Sequence, residues 1–109
     1  MRITEINIRL RDEPKLKAFV NVTFEDVFSV KGLKIIKSRR GLLLCMPTRK
    51  VVDGSSKDIA HPISKDFRAK LENEIFNEYY RALQRKFESE EAIGDDDKRL
   101  LRAVGMMGN

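Results

Sequence analysis

A single cysteine, a single histidine and no tryptophan limit what this 109-residue chain can do. One cysteine, Cys45, rules out an internal disulfide and fits a reducing compartment, so a cytoplasmic location is expected. With only His61 beside it, the roughly four ligands of a structural zinc site are missing, and neither a metal nor a cofactor is expected. No run approaches the roughly 18 apolar residues that span a bilayer. Ile6, Ile8 and Leu10 alternate with polar residues instead of forming the apolar stretch of a signal peptide, so no membrane partner is expected. No G-x-S-x-G elbow, P-loop or dinucleotide fingerprint occurs, nor any zinc-finger spacing, aromatic RNP pattern or GXXG loop. Asp53, Asp58 and His61, with Ser55 or Ser56, are the residue types of an acid–base set. Such sets arise by chance in any loop, so neither an enzyme nor a small-molecule substrate is expected.

Charge is what the chain has in quantity. It carries 22 Lys and Arg against 17 Asp and Glu, a net charge of +5. Residues 1–63 hold 13 basic and 7 acidic side chains, 64–87 hold 6 and 4, and 88–109 hold 3 and 6. The division places one basic domain at residues 1–87 and an acidic linker with a C-terminal extension at 88–109. A basic body favours a polyanion as partner, and an acidic tail would screen that body from weak ones. Nearly all of the six Phe and two Tyr fall on predicted apolar faces, with Phe19 the one candidate on a polar sheet face. Phosphate contacts are therefore expected to dominate any nucleic-acid binding, which would weaken steeply with salt.

The first half predicts four strands. Ile6, Ile8 and Leu10 alternate with polar residues, and Leu16, Ala18, Val20, Val22 and Phe24 do so over nine residues. A third strand runs over Phe28–Lys37, with a phase change at Gly32 that predicts a β-bulge. Leu42–Met46 is a buried fourth strand, with Cys45 as a small hydrophobe inside it, and Pro47 closes it. Short turns between these strands imply an antiparallel meander. Arg11, Lys15, Lys37, Arg39 and Arg40 then gather at one end of the sheet and Glu25 and Asp26 at the other.

Beyond Pro47, Asp53-Gly54 marks a tight turn flanked by Val51-Val52 and Ile59-Ala60, a small hairpin or ordered loop. Arg49, Lys50 and Lys57 border it as candidate phosphate ligands. Ser64 caps a helix with Asp66 in its first turn, and His61 is expected to hydrogen-bond the loop and fix the corner before it. Leu71, Ile75, Tyr79, Leu83, Phe76, Tyr80, Ala82 and Phe87 cover an arc of about 180°, wider than one sheet face needs, which implies a second contact. Lys70, Glu74, Glu78, Arg81 and Arg85 form a self-paired solvated face, and Arg68 is set to pair with Glu72. A short second helix is expected at Lys98–Val104. The fold class is α+β: an antiparallel meander of four to five strands, then an amphipathic helix.

Three segments identify a family: Gly41-Leu42-Leu43-Leu44-Cys45-Met46-Pro47-Thr48-Arg49-Lys50, Asp53-Gly54, and Lys57-Asp58-Ile59-Ala60-His61-Pro62-Ile63. Together they closely resemble the signature of the SpoVG family of bacterial septation and sporulation regulators, and the resemblance covers roughly residues 1–83. It implies a small homodimeric α+β protein that binds DNA and RNA in a site-selective way and is tied to cell division. It also implies nucleic-acid contact from the helix after the His-Pro corner, here Lys65, Arg68, Lys70 and Arg81. Asn7, Leu43 and Ser56 depart from the family's usual residues, a basic one at the first position and aromatic or apolar ones at the others. The alternative is a protein-interaction factor in septum formation that does not touch nucleic acid, motivated by the wide helix arc.

Overall fold

The structure, a computed structural model, describes residues 1–89. β1 (Ile3–Leu10), β2 (Leu16–Phe24), β3 (Phe28–Ser38) and β4 (Gly41–Cys45) form one antiparallel sheet in chain order, the expected meander. β5 (Thr48–Lys50) and β6 (Ser56–Asp58) make a separate two-stranded sheet, and α1 (Lys65–Glu88) completes an α+β fold. The second helix expected at Lys98–Val104 lies outside the described residues.

The tight turns fix both ends of the sheet. Arg39 and Arg40 form the exposed tip between the paired residues Ser38 and Gly41, and Gly41 takes the positive φ of 118° that closes the turn. At the other end Glu25 and Asp26 hold left-handed φ values of 55° and 58°, as the mirror-image hairpin turn requires. The Arg2 N–H donates to the Glu25 carboxylate at 2.7 Å and the Asp26 N–H to Thr4 Oγ1 at 3.1 Å. The start of β1 thus clasps a turn whose side chains disfavour it.

The sheet has three register shifts, at Thr4 of β1, at Lys31-Gly32 of β3 and at Lys17 of β2, and the last two decide which side chains of the central strands turn inward. Lys31 and Gly32 together face Asn21, and Gly32 (φ 86°) donates its N–H to Asn21 Oδ1 at 3.2 Å, which is the expected bulge. The other is silent in the sequence. Leu16 pairs with Ile36 and Ala18 with Ile35, so Lys17 is the extra residue. Lys17 is consequently buried beside Ala18, at 4% exposure, while Leu16 joins Ile36 on the opposite face. This corrects the uninterrupted alternation predicted for β2. Cys45 is half-exposed opposite Lys34 on the outer face, because β4 alternates and its neighbour Leu44 pairs with Ile35 inside. Cys45 is not the core hydrophobe expected.

The inner face of the sheet, including Ala18, Val20, Val22, Leu33 and Ile35, packs on Leu71, Ile75, Tyr79 and Leu83 of α1. Each buried Val, Leu or Ile side chain among them contributes roughly 2 kcal/mol. The expected cap starts the helix: Ser64 Oγ accepts from the Phe67 N–H at 3.1 Å, with Asp66 in the first turn and Arg85 and Lys86 in the last. Phe67 sits 5.9 Å from Phe24 and the Lys70 ammonium donates to the Met1 carbonyl at 3.4 Å, so the helix begins at the Glu25 end of the sheet. Phe76 and Tyr80 pack only partly against the core, and Phe87 remains 39% exposed. The arc is thus wider than the sheet covers. No helix among the described residues is long and apolar enough to cross a membrane.

Candidate nucleic-acid interface

The β5–β6 hairpin brings three predicted cations together. Its strands start earlier than the apolar flanks suggested: Thr48 pairs with Asp58, Arg49 with Lys57 and Lys50 with Ser56, not Val51-Val52 with Ile59-Ala60. The apolar pairs are left outside because the turn is held tighter. Val51 N–H donates to the Ser55 carbonyl at 3.0 Å and Gly54 N–H to the Val51 carbonyl at 2.9 Å. Arg49 and Lys57 therefore stand directly opposite each other on one face of an exposed ribbon. Like charges in that position repel, and neither they nor Lys50 form an ion pair with a described residue.

Arg39 and Arg40 lie elsewhere, at the turn end of the sheet. There the Lys37 N–H donates to the Lys15 carbonyl at 2.8 Å and the Arg11 N–H to the Lys17 carbonyl at 2.9 Å, so the expected basic end is assembled. The helix residues do not share one surface. With about 100° per residue, Lys65 and Arg68 fall on one side of α1 and Lys70 and Arg81 nearly opposite. Arg68 pairs with Glu72 at 3.5 Å, as its spacing predicts, and Arg81 and Arg85 both pair with Glu78, at 3.0 and 3.3 Å. Lys65 and Lys70 are exposed.

A fourth basic surface was only half legible in the sequence. The outer face of the sheet, away from α1, carries the cross-strand row Arg9, Phe19, Lys34 and Cys45. The Arg11 guanidinium lies over the Phe19 ring, 5.8 Å from its centroid. Phe19 stood out in the sequence by its parity, but its neighbours depend on registers that the bulges set.

The loop residues with catalytic side chains are engaged otherwise. Asp53 accepts from the Ser55 hydroxyl at 2.6 Å and the Ser55 N–H at 2.9 Å, and these bonds hold its carboxyl below its ordinary pKa of 3.8. His61 is exposed and makes no hydrogen bond with a described residue, which departs from the role expected of it. The corner is fixed instead by Ile59 N–H to the Pro47 carbonyl at 2.7 Å and by the Ser64 cap. His61 lines an open apolar cavity of about 430 Å³ between the sheet and the helix start, with Phe24, Phe28, Ile63 and Phe67.

The SpoVG family model matches residues 1–81. A protein of Caldanaerobacter subterraneus subsp. tengcongensis is 47% identical over 83 residues, covering 75% of this chain and 91% of its own length. One from Clostridium botulinum (strain Eklund 17B) is 45% identical over 92 residues, covering 84% of this chain and all of its own length. Both relatives carry the name SpoVG with a provisional septation label. A family match over most of the chain, spanning the sheet, the basic hairpin and the first two thirds of α1, makes this chain a member of the SpoVG family.

Proposed function

We propose that this chain is a homodimeric regulator that binds DNA or RNA through its basic surfaces and acts in septation. The observation that carries the reading is the hairpin. Arg49 and Lys57 face each other across an exposed two-stranded ribbon, with Lys50 beside them, and none of the three forms an ion pair with a described residue, although Asp58 and Asp53 belong to the same hairpin. Such a cluster is unfavourable in the isolated protein and becomes favourable when a phosphate backbone lies along it. Arg39 and Arg40 at the turn end of the sheet form a separate basic site, and the helix residues Lys65, Arg68, Lys70 and Arg81 add positive charge on two sides of α1. The septation role follows from the relatives' names.

A mobility-shift assay with DNA and RNA pools at two salt concentrations tests this. Binding that weakens with salt is expected. The double variant Arg49→Glu/Lys57→Glu should weaken it further and flatten the logarithmic salt slope by roughly 2, at about 0.9 per phosphate contact on duplex DNA. Absence of binding at low salt contradicts the reading.

A second reading is favoured by one observation. Met1, Phe28 and Ile63, exposed by 69%, 61% and 95%, ring the apolar cavity at the helix start. Such a patch suits a protein partner in septum formation, or the second copy of a homodimer.

A further inference from the structure

The outer face of the four-stranded sheet has no described element packed on it, and its centre is built unlike a merely solvated surface. Phe19 is half-buried in the middle of that face, with Arg9 directly across on β1 and Lys34 directly across on β3. Arg11 lies over the ring at 5.8 Å, so the flat side of the aromatic, not its edge, is turned toward a planar cation. Two acids lie near it: Glu13 pairs with Arg11 at 2.8 Å, and Glu5, further along β1, accepts from Asn7 Nδ2 at 2.8 Å, while Arg9 and Lys34 form no ion pair with a described residue. A planar aromatic platform ringed by cations on an open sheet matches two needs of an unpaired nucleotide: a surface for base stacking and charge for the flanking phosphates. Duplex DNA cannot use the ring, because its bases are already stacked.

We infer that the outer sheet face is a binding site for single-stranded nucleic acid, with one base stacked on Phe19 and the adjoining phosphates held by Arg9 and Lys34. The inference rests on the proposed function and deepens it, since it names the strandedness of the partner and a site separate from the β5–β6 hairpin. Charge argues against a second copy of the chain as the occupant. A symmetric pairing of this face with itself would set Arg9 and Lys34 against the same cations. Arg11 covers the ring at rest, with Glu13 2.8 Å away as its partner, and its guanidinium moves off the ring to let the base stack.

The absence of tryptophan from the chain supplies a specific probe. Phe19→Trp introduces a lone indole at the platform, and its fluorescence should be quenched when labelled oligothymidylate or oligouridylate binds. Phe19→Leu, which keeps an apolar side chain but removes the ring, should weaken binding of the same oligonucleotides by roughly tenfold or more. It should leave affinity for a blunt DNA duplex unchanged, and its circular dichroism and melting curve serve as the check on folding. Wild-type affinity in Phe19→Leu together with an unquenched indole at saturation overturns this inference and leaves the hairpin reading intact. Failure of the wild-type protein to bind any nucleic acid at low salt overturns both. A change in the mass of Phe19→Leu in solution, with oligonucleotide affinity unchanged, identifies the face as a contact between copies and overturns the inference.

Discussion

A carboxylate that accepts two hydrogen bonds from one neighbour titrates low, and Asp53 does so from the Ser55 hydroxyl and N–H. Because its folded pKa lies below the ordinary 3.8, the support these bonds give the loop is present above that value and is lost as pH falls through the folded pKa. An NMR titration should therefore place the Asp53 midpoint below 3.8, and Ser55→Ala should return it upward. A midpoint indifferent to Ser55 contradicts the assignment. Asp53 was legible in the sequence as a turn residue, and Arg68 as a partner of Glu72, because both depend on neighbours within four positions. Leu16, Lys17 and Cys45 were misplaced for the opposite reason. Which face they occupy depends on pairing with β3: a bulge one residue long sets Leu16 and Lys17, and regular alternation opposite Lys34 sets Cys45.

Elements obey the same division between local and distant causes. The four main strands, the bulge at Gly32 and the Ser64 cap follow from alternation, a glycine at a phase change and a hydroxyl before an apolar period. The β5–β6 pairing does not, because its strands are three residues each and wholly polar. Backbone bonds around Gly54, not apolar alternation, set their position. The Glu25-Asp26 turn shows an element held against local preference, since two non-glycine residues sit at φ of 55° and 58°. Asp26→Gly keeps the N–H that donates to Thr4 and removes the side-chain penalty. It should raise stability by about 0.5–1 kcal/mol, seen as a higher midpoint in urea unfolding. A lower midpoint would mean that the aspartate side chain itself stabilises the turn.

On the scale of the whole molecule, the sheet and helix enclose one core, and what remains outside it divides by chemistry. Three exposed apolar side chains, Met1, Phe28 and Ile63, surround the cavity at the helix start, the last two exposed by 61% and 95%. If the homodimer forms there, light scattering should give about twice the chain mass of 12.6 kDa, and Phe28→Asp should return it to that mass. A wild-type monomer contradicts dimerisation. Basic exposure lies on the hairpin, the Arg39-Arg40 turn and the outer sheet face. The sequence showed the excess charge and most of the residues that carry it. It did not show that Arg49 and Lys57 are cross-strand partners or that Arg9 and Lys34 flank Phe19, since both facts belong to strand pairing. The most direct test of the central claim is the affinity of the full chain for a mixed DNA and RNA pool, measured across a salt series beside Arg49→Glu/Lys57→Glu. Wild-type binding should fall linearly on logarithmic axes, and the variant should give a weaker, flatter line. Coincident lines, or no binding at low salt, would contradict that claim.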